Sequence, residues 1–179
     1  MRAAAAPATA TIGVWLLVGA IVILFMAFTS TLLVRRAEAD WQTGPVPSLL
    51  WMNTAVLLAS SATLEWARSG GRSRSPRRLS LGLSVATALG AAFLVGQWIA
   101  WRQLLAAGVS MAVGPHSAFF YLLTGTHGVH VAAGVAVLAY ASWRARREAD
   151  PAGIVAPTAI YWHFVGVLWL YVFGLLFVR

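Results

Sequence analysis

The run Ile12-Gly13-Val14-Trp15-Leu16-Leu17-Val18-Gly19-Ala20-Ile21-Val22-Ile23-Leu24-Phe25-Met26-Ala27-Phe28-Thr29-Ser30-Thr31-Leu32-Leu33-Val34 contains no charged side chain. A hydrocarbon core about 30 Å thick is crossed by roughly 20 apolar residues in an α-helix, so this run is long enough to span a bilayer. It is too long for the core of a secretory signal, and no clear small-residue cleavage pattern follows it before polar sequence, so we read it as a retained helix. Arg35 and Arg36 end it. The polar, turn-forming residues Glu38, Asp40, Gly44, Pro45 and Pro47 then connect it to the next apolar run.

The same pattern repeats to the end of the chain. With the first helix at about 12–34, further spans are expected at about 48–67, 79–101, 117–143 and 158–178. Between them, 68–78 is Gly, Ser, Pro and five arginines and has the composition of a flexible loop. Arg102, Gly108, Gly114, Pro115 and His116 form the next connection, and Arg144, Arg146, Arg147, Asp150, Pro151 and Pro157 the last. The expected fold is all-α: one polytopic membrane domain over 1–179, a bundle of five transmembrane helices. Composition agrees, since 60% of the 179 residues are hydrophobic and only 10% charged, whereas a soluble domain carries about a quarter charged residues. Five spans with short connections leave no room for a folded domain outside the membrane.

All 13 basic residues are arginines clustered near the ends of apolar runs, and the net charge is +8. Such clustering sets membrane orientation and is not read as nucleic-acid binding. With the N-terminus inside, that side holds Arg2, the five arginines of 68–78 and Arg144, Arg146 and Arg147, against Arg35, Arg36, Arg102 and Arg179 outside. The excess favours N-in, C-out. There is no cysteine, which removes disulfides, iron–sulfur clusters and thiolate copper sites. No internal repeat of the inverted-transporter kind is visible.

Small residues recur within the spans: Gly82, Gly90 and Gly96 on the third, Gly125, Gly128 and Gly134 on the fourth. Lipid tails are as apolar as leucine, so helices associate through close backbone approach, which small residues permit. Trp41, Trp51, Trp66, Trp101 and Trp143 near span ends fit interfacial anchoring.

Polar side chains in hydrocarbon need a partner or a purpose. They are Asn53, Ser60, Ser61, Thr63 and Glu65 on the second helix, Gln97 on the third, Tyr121, Thr124, Thr126, His127 and His130 on the fourth, and Tyr161, Trp162 and His163 on the fifth. His127 and His130 are three apart and are expected on the same side of their helix, which invites a metal reading. At 1.5 Å per residue, His163 stands about 8–9 Å above the cytoplasmic face, His130 about 20 Å and His127 about 24 Å, a mismatch for one shared haem. No carboxylate or cysteine stands at these heights to complete a zinc or non-haem iron site. Gln97, at about 27 Å, is level with His127, so an interhelical hydrogen bond between them is expected. Glu65 is the one carboxylate within an apolar span. An end-of-helix ion pair with Arg68 at i,i+3 is expected for it, since an isolated acid makes a poor proton relay.

These residues also carry a family likeness. Phe119-Phe120-Tyr121-Leu122-Leu123-Thr124-Gly125-Thr126-His127-Gly128-Val129-His130-Val131-Ala132-Ala133-Gly134 resembles the signature of subunit III of haem-copper terminal oxidases, a phenylalanine pair before Thr-Gly-x-His-Gly-x-His and a closing glycine. Tyr161-Trp162-His163-Phe164-Val165-Gly166-Val167-Leu168-Trp169-Leu170 is similar to that family's Tyr-Trp-His-Phe-x-Asp-x-x-Trp segment. Asn53-Thr54 with Ser60-Ser61, and Phe93-Leu94-Val95-Gly96-Gln97, agree as well, so the resemblance covers most of the chain in the family's order.

The resemblance implies the five-helix bacterial form, N-in and C-out in the inner membrane. It implies an accessory subunit with no catalytic, cofactor or metal site of its own, haem and copper lying in the partner. Such a subunit packs against catalytic subunit I, in company with subunit II, stabilises it, holds structural phospholipid and supports proton uptake coupled to reduction of oxygen to water. The residues carried over for subunit or lipid contact are Asn53, Glu65, Gln97, Tyr121, Thr124, His127, His130, Trp162, His163 and Trp169. Three intramembrane acids of the family are absent: Ala20 and Ile21 stand where a Ser-Glu pair is usual, Ala100 replaces an acid on the third helix, and Gly166 the aspartate of the fifth. A structural, lipid-binding role gains weight accordingly. The other readings are a companion of a nitric oxide reductase, a small transporter lined by Gln97, His127 and His130, and a haem b anchor using His127 or His163.

Overall fold

The computed structural model describes residues 6–41, 44–72, 76–147 and 152–177. Among the described residues are five helices: α1 Ala6–Arg36, α2 Leu49–Arg72, α3 Pro76–Ala106, α4 Pro115–Arg147 and α5 Ala152–Phe177. The type and number match the sequence reading. The ends differ, because apolar runs mark where hydrocarbon stops, while backbone hydrogen bonding continues as helix into the headgroup region. The expected flexible loop of 68–78 is the main correction. Helix continues to Arg72 and resumes at Pro76, a residue whose missing N–H is harmless at a helix start. Pro157, read as part of the last connection, lies inside α5 in its second turn, where it supplies no N–H for the carbonyl four residues earlier. Asp150 and Pro151, placed in the same connection, fall outside the described residues.

Successive helices run antiparallel. Asn53 meets Phe93 and Ser60 meets Ala86 across α2 and α3. Ser84 meets Ser142, and Trp101 meets Thr124, across α3 and α4. Tyr161 meets His130 across α4 and α5. α2 also packs on α5, so α2 to α5 close into a four-helix ring. α1 stands outside it against α5 and a little of α4. Thr29 shares a 2.8 Å hydrogen bond with the Tyr171 hydroxyl, and Arg36 Nη2 donates to the Leu175 carbonyl. Arg68, Arg77, Arg78, Arg144, Arg146 and Arg147 therefore collect at one end of the bundle, and Arg35, Arg36 and Arg102 at the other.

Among the described residues four helices are long and apolar enough to cross a membrane: Thr9–Arg36, Arg77–Ala106, Pro115–Arg147 and Gly153–Phe177. α2 is not among them, because its length is interrupted by Asn53, Thr54, Ser60, Ser61, Thr63 and Glu65. Three of these, Asn53, Thr54 and Ser60, turn inward and are buried. The outer surface is apolar, α1 above all, where Leu16 and Ile23 are each 72% exposed.

Glycine governs how closely the helices meet. A Cβ at Gly82 would strike Ala67, one at Gly90 or Gly134 would strike the Trp162 indole, and one at Gly96 would land on the Asn53 carboxamide. Gly125 and Gly128 do not serve this purpose, since a Cβ there meets nothing closer than 3.9 Å. Gly108 ends α3 in the left-handed conformation (φ 79°), and Val109 N–H then reaches back to the Leu104 carbonyl at 2.9 Å, closing the helix end.

At both ends arginines lie over aromatic rings: Arg78 on Trp66 and Arg147 on Trp143 at 4.7 Å, Arg36 on Trp41 and Arg102 on Trp98 at 5.7 Å. This is the arrangement of cationic heads and amphipathic rings at a membrane interface. Trp101 departs from the anchoring expected of it. It turns inward and donates from Nε1 to Thr124 Oγ1 at 3.0 Å.

Candidate functional site

The interior of the ring holds most of the polar residues singled out above, in layers. Nearest the arginine-rich end with Arg68, His163 of α5 reaches α2, its Nε2 donating to Glu65 Oε1 at 2.7 Å, while Arg68 Nη1 donates to the same oxygen. Glu65 was expected to pair with Arg68 alone. The structure adds a second titratable group, because Glu65 and His163 face each other across antiparallel helices. The pair is open to its surroundings, with side chains 34% and 48% exposed for His163 and Glu65. Exposed pairs contribute about 0–1 kcal/mol, so Glu65→Gln should lower the unfolding free energy by less than about 1 kcal/mol. Thermal unfolding in mild detergent checks this, and a much larger loss would show that the contact bears more of the α2–α5 junction than its exposure allows.

Next inward, the fully buried Trp162 lies in a slot made by Gly90 and Gly134. Its Nε1 has no hydrogen-bond partner. Ser60 donates to the Ala86 carbonyl at 2.8 Å and Asn53 Nδ2 to the Phe93 carbonyl at 3.3 Å, so two α2 side chains bond the α3 backbone. Trp169 of α5 donates to Thr54 Oγ1 at 2.9 Å. Its ring centroid lies 5.0 Å from Phe93 and 5.1 Å from His127, and Phe93 meets His127 edge-on at 5.9 Å.

Two expectations about α4 are corrected. His127 and His130 do not share a face in any useful sense. His127 is fully buried among α3 and α5 rings, whereas His130 is half-buried, lies 5.9 Å from Phe25 of α1, and donates from Nδ1 to the Thr126 carbonyl at 2.7 Å. Residues three apart differ by about 60° around a helix axis, enough for different neighbours to claim each. Nor do Gln97 and His127 bond each other: both are buried, and neither amide atom of Gln97 nor either ring nitrogen of His127 has a partner.

Toward the far end, Thr124 accepts from Trp101 and donates to the Phe120 carbonyl, and Tyr121 donates its hydroxyl to the Val109 carbonyl at 2.8 Å, fastening the α3–α4 connection. Sequence reasoning missed the Thr29–Tyr171 and Ser84–Ser142 contacts. Hydroxyl groups facing each other at equal height on neighbouring helices were the available signal. Among the described residues no three of His, Cys, Asp or Glu are grouped to hold a metal ion. Of the absent family acids, Ile21 and Ala100 sit buried in apolar packing, and Gly166 faces Ser61 Oγ at 3.4 Å from where its Cβ would be.

Fold and interior together define a multi-pass membrane helix bundle whose polar groups tie helix to helix. The family model for cytochrome c oxidase subunit III matches residues 10–178. Named relatives agree. Cytochrome c oxidase subunit 3 of Thermostichus vulcanus is 30% identical over 158 residues, covering 84% of this chain and 77% of that protein. The protein of the same name from Bacillus sp. (strain PS3) is 28% identical over 177 residues, covering 93% and 84%, and that of Bacillus subtilis (strain 168) 29% over 179, covering 93% and 84%. The chain belongs to the cytochrome c oxidase subunit III family. Membership makes it an accessory subunit of a respiratory-chain oxidase, working in complex with other oxidase subunits.

Proposed function

We propose that this chain crosses a bacterial inner membrane five times, N-in and C-out, as the non-catalytic subunit III of an aerobic haem-copper oxidase. It seats catalytic subunit I beside subunit II, holds phospholipid along its apolar flanks, and supports proton uptake coupled to reduction of oxygen to water. The observation that carries this reading is the use made of the Thr-Gly-Thr-His-Gly-Val-His segment. His127 stacks among Phe93 and Trp169, and His130 packs on Phe25 and bonds its own helix, so the histidines build the bundle. A fifth crossing is supported by α2, which runs antiparallel between α3 and α5 with Asn53, Thr54 and Ser60 turned inward. The arginine excess at the end that holds Arg68, Arg78 and Arg144 supports placing that end in the cytoplasm. There the Glu65–His163–Arg68 contact supplies titratable groups for the proton-uptake role.

Membranes solubilised in mild detergent should yield this chain in fixed ratio with a much larger haem-containing polypeptide. Separated from it, the chain should show no Soret band. Tightly bound iron or copper on the isolated chain, or solute transport by the chain alone in liposomes, would overturn the reading. The partner's dicopper domain, present or missing, identifies the electron donor.

A further inference from the structure

Gln97 and His127 are each at least nine-tenths buried, yet four of their polar atoms have no hydrogen-bond partner. In hydrocarbon such groups are costly to leave unpaired. Their neighbours place them together. One turn below Gln97 on α3, Phe93 touches His127; one turn above, Trp101 bonds Thr124, which is one turn from His127 on α4. Gln97 and His127 thus occupy the layer between the Phe93–His127 and Trp101–Thr124 contacts of α3 and α4. A direct bond between a carboxamide and an imidazole would satisfy one atom of each and leave the others unpaired.

At one point the same layer leaves room for a methyl group. Gly128 is buried, and a Cβ there would meet only Trp101, at 3.9 Å. The buried glycines 82, 90 and 134 instead bring neighbours to 2.9 Å or less of that position. A buried water needs about one probe sphere of room and two to four polar partners; the methyl-sized space at Gly128 and the four unpaired atoms of Gln97 and His127 are what this layer brings toward each. We propose that Gln97 and His127 bind an ordered water molecule between α3 and α4, beside Gly128 and under the Trp101 ring. The water bridges the carboxamide to the imidazole and pins the two helices in register. This site is independent of the oxidase reading.

The test is water-edited solid-state NMR on the full chain, labelled with 15N-histidine and held in lipid bilayers with whatever co-purifies with it. The His127 ring signal is identified by its disappearance in His127→Phe. In the unaltered chain it should draw magnetisation from water, and in Gly128→Ala, whose methyl takes the room without a clash, that transfer should be lost. No transfer to His127 in the unaltered chain overturns the proposal, as does transfer that survives Gly128→Ala undiminished. Should that variant fail to assemble, Gln97→Leu reads the same point by removing two of the water's partners. An unchanged water signal at His127 there overturns the proposal too.

Discussion

A valine at position 90 should lower the melting temperature of this chain by about 6–12 °C, and shortening the ring at position 162 should recover part of the loss. The Cβ of any residue at 90 would stand 2.6 Å from Trp162 Cη2 and 2.9 Å from Val135 Cγ2, and the indole has little room to retreat, since it also lies against Gly134. Overpacking of this kind costs about 1–3 kcal/mol, and valine adds two methyls to the Cβ already in collision. For a chain of this length each 1 kcal/mol moves the midpoint by about 2–4 °C, so the upper end of that range gives the expected drop. Trp162→Phe removes the outer ring atoms that Gly90 faces. In the double variant the two effects should therefore fall short of their sum by about 1 kcal/mol or more. Strict additivity, measured by thermal unfolding in detergent, would mean that the slot between α3 and α4 does not hold the indole.

Trp169→Ala should be comparably severe, at about 3 kcal/mol. Large-to-small changes at buried tryptophans cost about 3–5 kcal/mol in water-soluble proteins. Inside a bilayer the transfer part of that cost shrinks, because lipid is as apolar as the core, but the lost dispersion contacts remain. Trp169 has many to lose: it touches Phe93, His127 and Phe173 and reaches α2 through Thr54. Trp169→Phe keeps most of the ring packing and loses the hydrogen bond to Thr54 Oγ1, which should cost about 1 kcal/mol. The order alanine well below phenylalanine, and phenylalanine below the parent, is the expected result. Equal losses for the two variants would show that the hydrogen bond, and not the packing, joins α2 to α5 here.

Helix number and type, and the residue types that would need partners, could be read from the linear chain. Long uncharged runs admit one solution in lipid, because only a helix satisfies every backbone group within a single segment. The family resemblance was legible for a similar reason: Thr124 to Gly134 and Tyr161 to Trp169 are short runs of unusual residues, and such runs survive in one dimension. Which polar group would meet which was beyond reach. Boundary shifts of a few residues rotate a helix face by whole quadrants, so His127 and His130 could be placed on one helix but not assigned to α3 and α5 in one case and α1 in the other. Glu65 appeared isolated because its partner His163 lies 98 residues away, brought to it by the closing of α5 onto α2. Glycines could be recognised as small, yet Gly90 and Gly134 turned out to hold Trp162 while a Cβ at Gly128 would make only ordinary contact with Trp101. A helix's existence in a membrane follows from its own composition; its rotation and neighbours follow from the fit of other helices against it, and that fit exists only once all five are in place.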